Sequence, residues 1–223
     1  VSQFKADSKD AAMAAGNLAA KLLARSDAKT FRFVTFASTA AGTGKSLLAS
    51  EFAGALAAMG RKVALLDLDL HKADATKGLS NAIIAGQTPR PLHQANGVHF
   101  FPAGNAAQYP GVVLNHTRFN AWWQDLSNEF DVVVVDTPAC NKATETYPIL
   151  QNSDMVLWLS RNGVSAQDDA MQPDLLALEY GIGPFLHVYN HGKAPNKYLQ
   201  LLSKLLPRGR KSTAVFTPET LNA

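Results

Sequence analysis

Residues 31–46 read FRFVTFASTAAGTGKS, and this stretch decides the fold class. Phe31 to Ser38 is a largely apolar run with aromatic and β-branched residues, the composition of a strand buried on both faces. Thr39 to Gly44 is a turn of small residues. Lys45 to Met59 (KSLLASEFAGALAAM) has helical periodicity and stops at Gly60. Gly42 and Gly44 let the backbone curl until successive N–H groups face one anion, and the start of the helix adds its positive end. Lys45 has the reach to meet β- and γ-phosphates, and the Ser46 hydroxyl is a ligand for Mg²⁺. The expected cradle runs from Ala41 through Gly42, Thr43, Gly44, Lys45 and Ser46 to Leu47. Thr39 stands where the usual pattern has glycine, so the strict motif is incomplete. A small-residue turn that only caps a helix is the alternative, and the order strand, turn, Gly-Lys-Ser, helix speaks against it.

Outward from this stretch, short apolar runs alternate with helical segments. The runs are Val63 to Asp67 (VALLD), Val98 to Pro102 (VHFFP), Val132 to Asp136 (VVVVD), Met155 to Ser160 (MVLWLS) and Phe185 to Tyr189 (FLHVY). Helices are expected over Asp10 to Arg25, within Pro110 to Phe130, over Ala166 to Tyr180 and over Asn196 to Leu206. This alternation predicts an α/β fold: a doubly wound, mostly parallel sheet flanked by helices, of the phosphate-loop NTPase type. Such sheets bind ligands beyond the carboxyl ends of their strands. Two strands end there in carboxylates. Asp67 and Asp69 sit at i and i+2, on one side of an extended chain, where they can hold Mg²⁺ through water or accept a proton. Asp136 fits the second metal-linked acid, with a plain turn-capping role as the alternative. Lys45, Asp67, Asp69 and Asp136 are the candidate catalytic residues, and Ser46, Asp67 and Asp136 the candidate metal ligands.

Three segments are expected: a helical segment over 1–28, the phosphate-loop domain over 29–192 and a basic segment over 193–223. The 223 residues suit one domain, and 47% hydrophobic against 17% charged residues is a globular balance that excludes a disordered chain. The single cysteine, Cys140, excludes an internal disulfide and a cysteine-rich zinc site, and it points to a reducing, cytoplasmic compartment. The six histidines have no metal-ligand spacing. His187 lies inside an apolar strand and is expected in the core, as are Trp122 and Trp123.

No stretch reaches the roughly 18 apolar residues that would span a bilayer. The chain opens on Val1 rather than on a methionine, so an upstream segment is expected to have been removed. Net charge is +3, but it is unevenly placed. Tyr180 to Pro218 holds no Asp or Glu and six Lys or Arg, which leaves 15 basic against 18 acidic residues elsewhere. The basic segment is either a solvated terminus or a surface for anionic lipid, nucleic acid or an acidic partner.

Four stretches resemble one family, the bacterial tyrosine kinases (BY-kinases). These are phosphate-loop ATPases related to the MinD/ParA group that act in capsule and exopolysaccharide assembly. The stretches are FVTFASTAAGTGKSLLASEFAGALAAMGRKVALLDLDLHK, GLSNAIIAG, VHFFPAGN and FDVVVVDTPAC. Ala40 replaces the extra lysine usual in the MinD/ParA group, which favours the kinase side. The resemblance implies ATP with Mg²⁺, Asp69 as base toward a tyrosine hydroxyl, and Asn190 as an adenine contact. It implies a membrane polysaccharide co-polymerase or polysaccharide-assembly protein as partner, a homo-oligomer, a cytoplasmic place peripheral to the inner membrane, and no role for nucleic acid.

The chain departs from the family pattern in several places. Its five tyrosines are scattered, with none after Tyr198. The first helix lacks the Glu-x-x-Arg-x-x-Arg pattern used for ring assembly. His71 stands in place of the usual Arg, and Ala41 and Thr43 in place of Pro and Glu. These departures speak against autophosphorylation at a tail. Two further readings stay open: a MinD/ParA-like positioning switch on membrane or DNA, and a nucleotide-binding docking module without turnover.

Overall fold

The computed structural model describes residues 8–24, 31–71, 77–95, 97–161, 164–165, 171–190 and 214–216. Its elements are α1 (Ser8–Ala24), β1 (Phe33–Ala37), α2 (Lys45–Ala58), β2 (Val63–Asp67), α3 (Leu79–Ile84), β3 (His93–Ala95), β4 (Val98–Phe101), α4 (Pro110–Leu114) and α5 (Thr117–Glu129). They continue as β5 (Val132–Asp136), α6 (Thr146–Gln151), β6 (Met155–Arg161), α7 (Gln172–Tyr180), β7 (Phe185–Asn190) and β8 (Ala214–Phe216). The strands form one sheet in the order β3-β4-β2-β5-β1-β6-β7-β8, parallel throughout except for the β3–β4 pair at one edge. This is the expected doubly wound, mostly parallel sheet.

Both faces are apolar because the central strands alternate between two cores. On one face Val34, Phe36, Val132, Val134 and Leu157 pack under α1 and α2. Leu48, Ala49, Phe52, Ala53 and Leu56 form the buried stripe of α2, and Ala15, Leu18, Ala19 and Leu22 that of α1. On the other face Phe33, Val133 and Val135 meet α3, α4 and α5, with the Phe33 and Trp123 rings stacked at 4.4 Å. Ala37, Val156 and Trp158 meet Leu150 of α6 and Leu176 of α7. Each large side chain buried this way contributes about 1.5–3 kcal/mol. Trp122, Trp123 and His187 are all core residues, as expected.

The connections position the site. From β1 the chain crosses one face through α2 to reach β2. From β5 it crosses the other face through α6 to reach β6, on the far side of β1. The carboxyl ends of β1 and β5 therefore flank the point where the winding changes direction, the place where such sheets open a crevice.

Three local differences from expectation have physical causes. Pro110 to Phe130 is two helices, because the Asn115 side chain donates back to the Gly111 carbonyl at 2.8 Å and His116 turns extended. The His116 ring then accepts the Arg118 N–H, starting α5 afresh. Leu79 to Ile84 forms α3 within a stretch of mixed composition. Ala214 to Phe216 in the basic segment is a strand paired in parallel with β7. The helix expected over 196–206 lies outside the described residues.

Candidate phosphate-binding site

Both glycines of the loop take left-handed conformations, Gly42 at φ 78° and Gly44 at φ 97°. A side chain would strain both, so the loop's curl depends on these two residues. Gly44 is the N-cap of α2, which has no side-chain cap and no acidic residue in its first turn. A helix start left this way fits an anion, since the first-turn N–H groups and the helix dipole need a negative partner.

The loop is pinned from beneath. Ser38 and Thr39 carbonyls accept the N–H groups of Cys140 and Asn141 at 3.0 and 3.2 Å. The Thr137 hydroxyl donates to the Phe36 carbonyl at 2.9 Å. The turn after β5 thus holds the end of β1 and the start of the loop. Lys45 is 7% exposed despite its charge, and its Nζ donates to Ser38 Oγ at 2.8 Å, with Ser38 Oγ donating to the Ala40 carbonyl at 2.7 Å. The ammonium is therefore held folded against the root of the loop. Thr43 is buried, while Ala41, Gly42 and Ser46 face solvent and Leu47 is half-buried.

The carboxylates come together through strand register. Asp136 stands opposite Phe36 on one neighbour and opposite Asp67 on the other. Register partners share a face, and Phe36 packs under α2, so Asp67 and Asp136 project on the α2 side, the side of Ser46. Asp136 is buried, and Asp67 Oδ1 accepts the Asp69 N–H at 3.0 Å, closing a tight turn. Asp69 is buried on the same turn. Asn190 closes β7, two strands from the loop, opposite Arg161. Lys45 and Ser46 after β1 and Asp67 and Asp136 at the ends of β2 and β5 therefore lie at one end of the sheet, with Asp69 on the turn after β2 and Asn190 at the end of β7. A serine hydroxyl, two carboxylates, a lysine and an uncapped helix start suit a triphosphate with Mg²⁺.

Sequence reading missed two contacts. Arg161 Nη1 donates to the Gly42 carbonyl at 3.1 Å. His71 Nε2 meets Glu145 Oε1, linking the turn after β2 to the N-cap of α6. Cys140 is buried beneath the loop, and burial pushes its thiol up to about 12 against the opposing pull of Lys45. Only an arginine ending an apolar strand could have hinted at the first. A separate groove of about 900 Å³, lined by Lys77, Asn81, Thr88 and Arg90 among others, takes no residue from the phosphate loop.

A family model described as ATPase MipZ matches residues 32–158, which include the loop and all three acidic positions. The chain belongs to the MipZ ATPase family. Curated relatives of this MipZ-family chain include both tyrosine-protein kinases and the antiactivator FleN of Pseudomonas aeruginosa, to which it is 27% identical over 183 residues, 74% of this chain and 63% of FleN. The chain is 26% identical over 137 residues to CapB of Staphylococcus aureus, assigned as a tyrosine-protein kinase, covering 55% of this chain and 60% of CapB. It spans 19% and 18% of two longer tyrosine-protein kinases. Among solved structures, the kinase domain of the Escherichia coli tyrosine kinase ETK matches with a TM-score of 0.68 at 16% identity, covering 80% of this chain and 74% of that one. The septum site-determining protein MinD of Pyrococcus horikoshii, complexed with Mg-ADP, matches with a TM-score of 0.56 at 19% identity, covering 76% of each chain. At these identities the structural matches speak for the fold alone. No helix among the described residues is long and apolar enough to cross a membrane.

Proposed function

We propose that this MipZ-family chain is a Mg-ATP-binding, ATP-hydrolysing domain of BY-kinase type that regulates exopolysaccharide or capsule assembly and export. The observation that carries the nucleotide reading is the left-handed Gly42–Gly44 loop leading into the uncapped start of α2, with Asp67 and Asp136 in register beside it. The loop amides from Ala41 to Leu47 bind phosphate. Lys45 swings from Ser38 onto the β- and γ-phosphates. Ser46, Asp67 and Asp136 would hold Mg²⁺, which would supply charge neutralisation. Asp69 accepts the proton of the attacking water or hydroxyl. Asn190 contacts the adenine.

The assembly role rests on the resemblance to the BY-kinases, and a membrane polysaccharide co-polymerase is the partner it implies. Bound nucleotide favours one conformation or oligomer, and turnover releases it. The test is incubation with Mg-ATP, followed by free-phosphate measurement and mapping of phosphotyrosine by mass spectrometry. Phosphate without phosphotyrosine keeps the ATPase and removes autokinase activity. Neither product, with ATP still bound, leaves a docking module without turnover.

A second reading, a positioning switch on membrane or DNA, draws on the basic residues after Tyr180. ATP-dependent co-sedimentation with anionic liposomes or with DNA would favour it over the first.

A further inference from the structure

Arg161 ends β6, the strand beside β1, and its backbone is the hub of the following turn. Its N–H donates to Ser165 Oγ at 3.0 Å, and its carbonyl accepts the N–H groups of Val164 and Ser165 at 3.1 and 2.9 Å. With the main chain held at both groups, the side chain crosses to the phosphate loop, where Nη1 donates to the Gly42 carbonyl at 3.1 Å. An anion cradle has a geometric requirement. Its N–H groups converge on the anion, so its carbonyls must point away and find donors elsewhere. Gly42 is the exposed, left-handed member of the loop, with no side chain of its own to fix it.

We infer that Arg161 is a positioning residue of the nucleotide site, whose guanidinium keeps the Gly42 carbonyl turned out of the cradle so that the loop N–H groups stay convergent. The inference rests on the nucleotide-binding reading above. The guanidinium also brings positive charge to the rim of the loop without entering the cradle. Its planar fork has further donors beyond the one spent on Gly42. Strand register places Arg161 directly opposite Asn190, so one residue links the phosphate loop to the strand end expected to meet the base. Movement of the end of β6 is thereby coupled to the shape of the cradle.

The test uses the full chain and two substitutions. Arg161→Met keeps the aliphatic stem and removes the donor, and Arg161→Lys keeps one charged donor. A charge-assisted hydrogen bond of this kind sets the scale, so calorimetry should find Mg-ATP affinity about 10-fold weaker for Arg161→Met and within about 3-fold of the parent for Arg161→Lys. The melting temperature without nucleotide, which a purely structural role would lower, should stay at the parent value in both. Arg161→Met binding as tightly as the parent overturns the inference, as does a loss of affinity matched by a lower nucleotide-free melting temperature. Lys45→Met, run alongside, separates the two levels of the argument. Binding lost in Lys45→Met but kept in Arg161→Met removes this role alone, whereas a parent chain that binds no Mg-ATP removes the nucleotide reading and this role together.

Discussion

His187 makes the stability of the fold depend on mild acid. It lies in β7 with no exposed surface, its ring stacked on that of Tyr189 at 6.4 Å. Burial lowers its pKa from 6.5 to about 4. Below the higher value the unfolded chain binds a proton that the folded chain refuses, so stability rises with pH across this window and is lost as pH falls through it. The gap amounts to about 3 kcal/mol in all, most of it gone by about pH 4.5. The comparison is with His187→Gln, which is neutral at every pH and leaves the carboxylate contributions common to both chains. Urea denaturation followed by tryptophan fluorescence gives the unfolding free energy at steps from about pH 7.5 to about pH 4.5. The parent should lose about 2–3 kcal/mol more than the variant over that range. Equal losses in the two chains would refute the claim that a neutral imidazole is held in the core.

Other perturbations probe the site and its frame. Gly78→Ala would bring a Cβ within 2.3 Å of the Pro102 carbonyl and 2.5 Å of the Gly104 nitrogen, both backbone, so the melting transition should show a loss of about 1–3 kcal/mol or more. Cys140, buried and with its thiol pushed up to about 12, should react with a thiol-exchange reagent about a thousandfold more slowly in the folded chain than in urea. Asp136→Asn keeps the shape of a buried strand end but removes a charge beside Asp67, and phosphate release with Mg-ATP should fall about 100-fold or more while the apo fold persists.

What could be read from sequence was local. β2 and β5 have the bounds expected of VALLD and VVVVD, because a buried parallel strand is a continuous apolar run and each run is closed by its aspartate. The loop was legible because glycines at 42 and 44, ahead of Lys45 and Ser46, serve one backbone geometry. The contacts that complete the site were not legible, because they join distant positions. Arg161 and Gly42 are 119 residues apart, and His71 and Glu145 are 74 apart. No periodicity encodes such pairs; they exist only once β6 lies beside β1 and α6 beside the end of β2. The break at Asn115 and His116 was hidden for another reason. Helical pattern continues through it, and two side chains bonding to nearby main chain override the pattern. β8 is only three residues long, too short a run for its pairing with β7 to leave a sequence signal.

The account stands on a loop that holds the phosphates of a nucleotide, with Lys45 drawn from Ser38 onto them. Titration calorimetry of the full chain with Mg-ATP, beside Lys45→Met, tests this most directly. Saturable one-site binding by the parent, weakened about 10- to 100-fold in the variant, is the predicted result. Equal affinity in the two chains, or no heat of binding in the parent, would contradict the account.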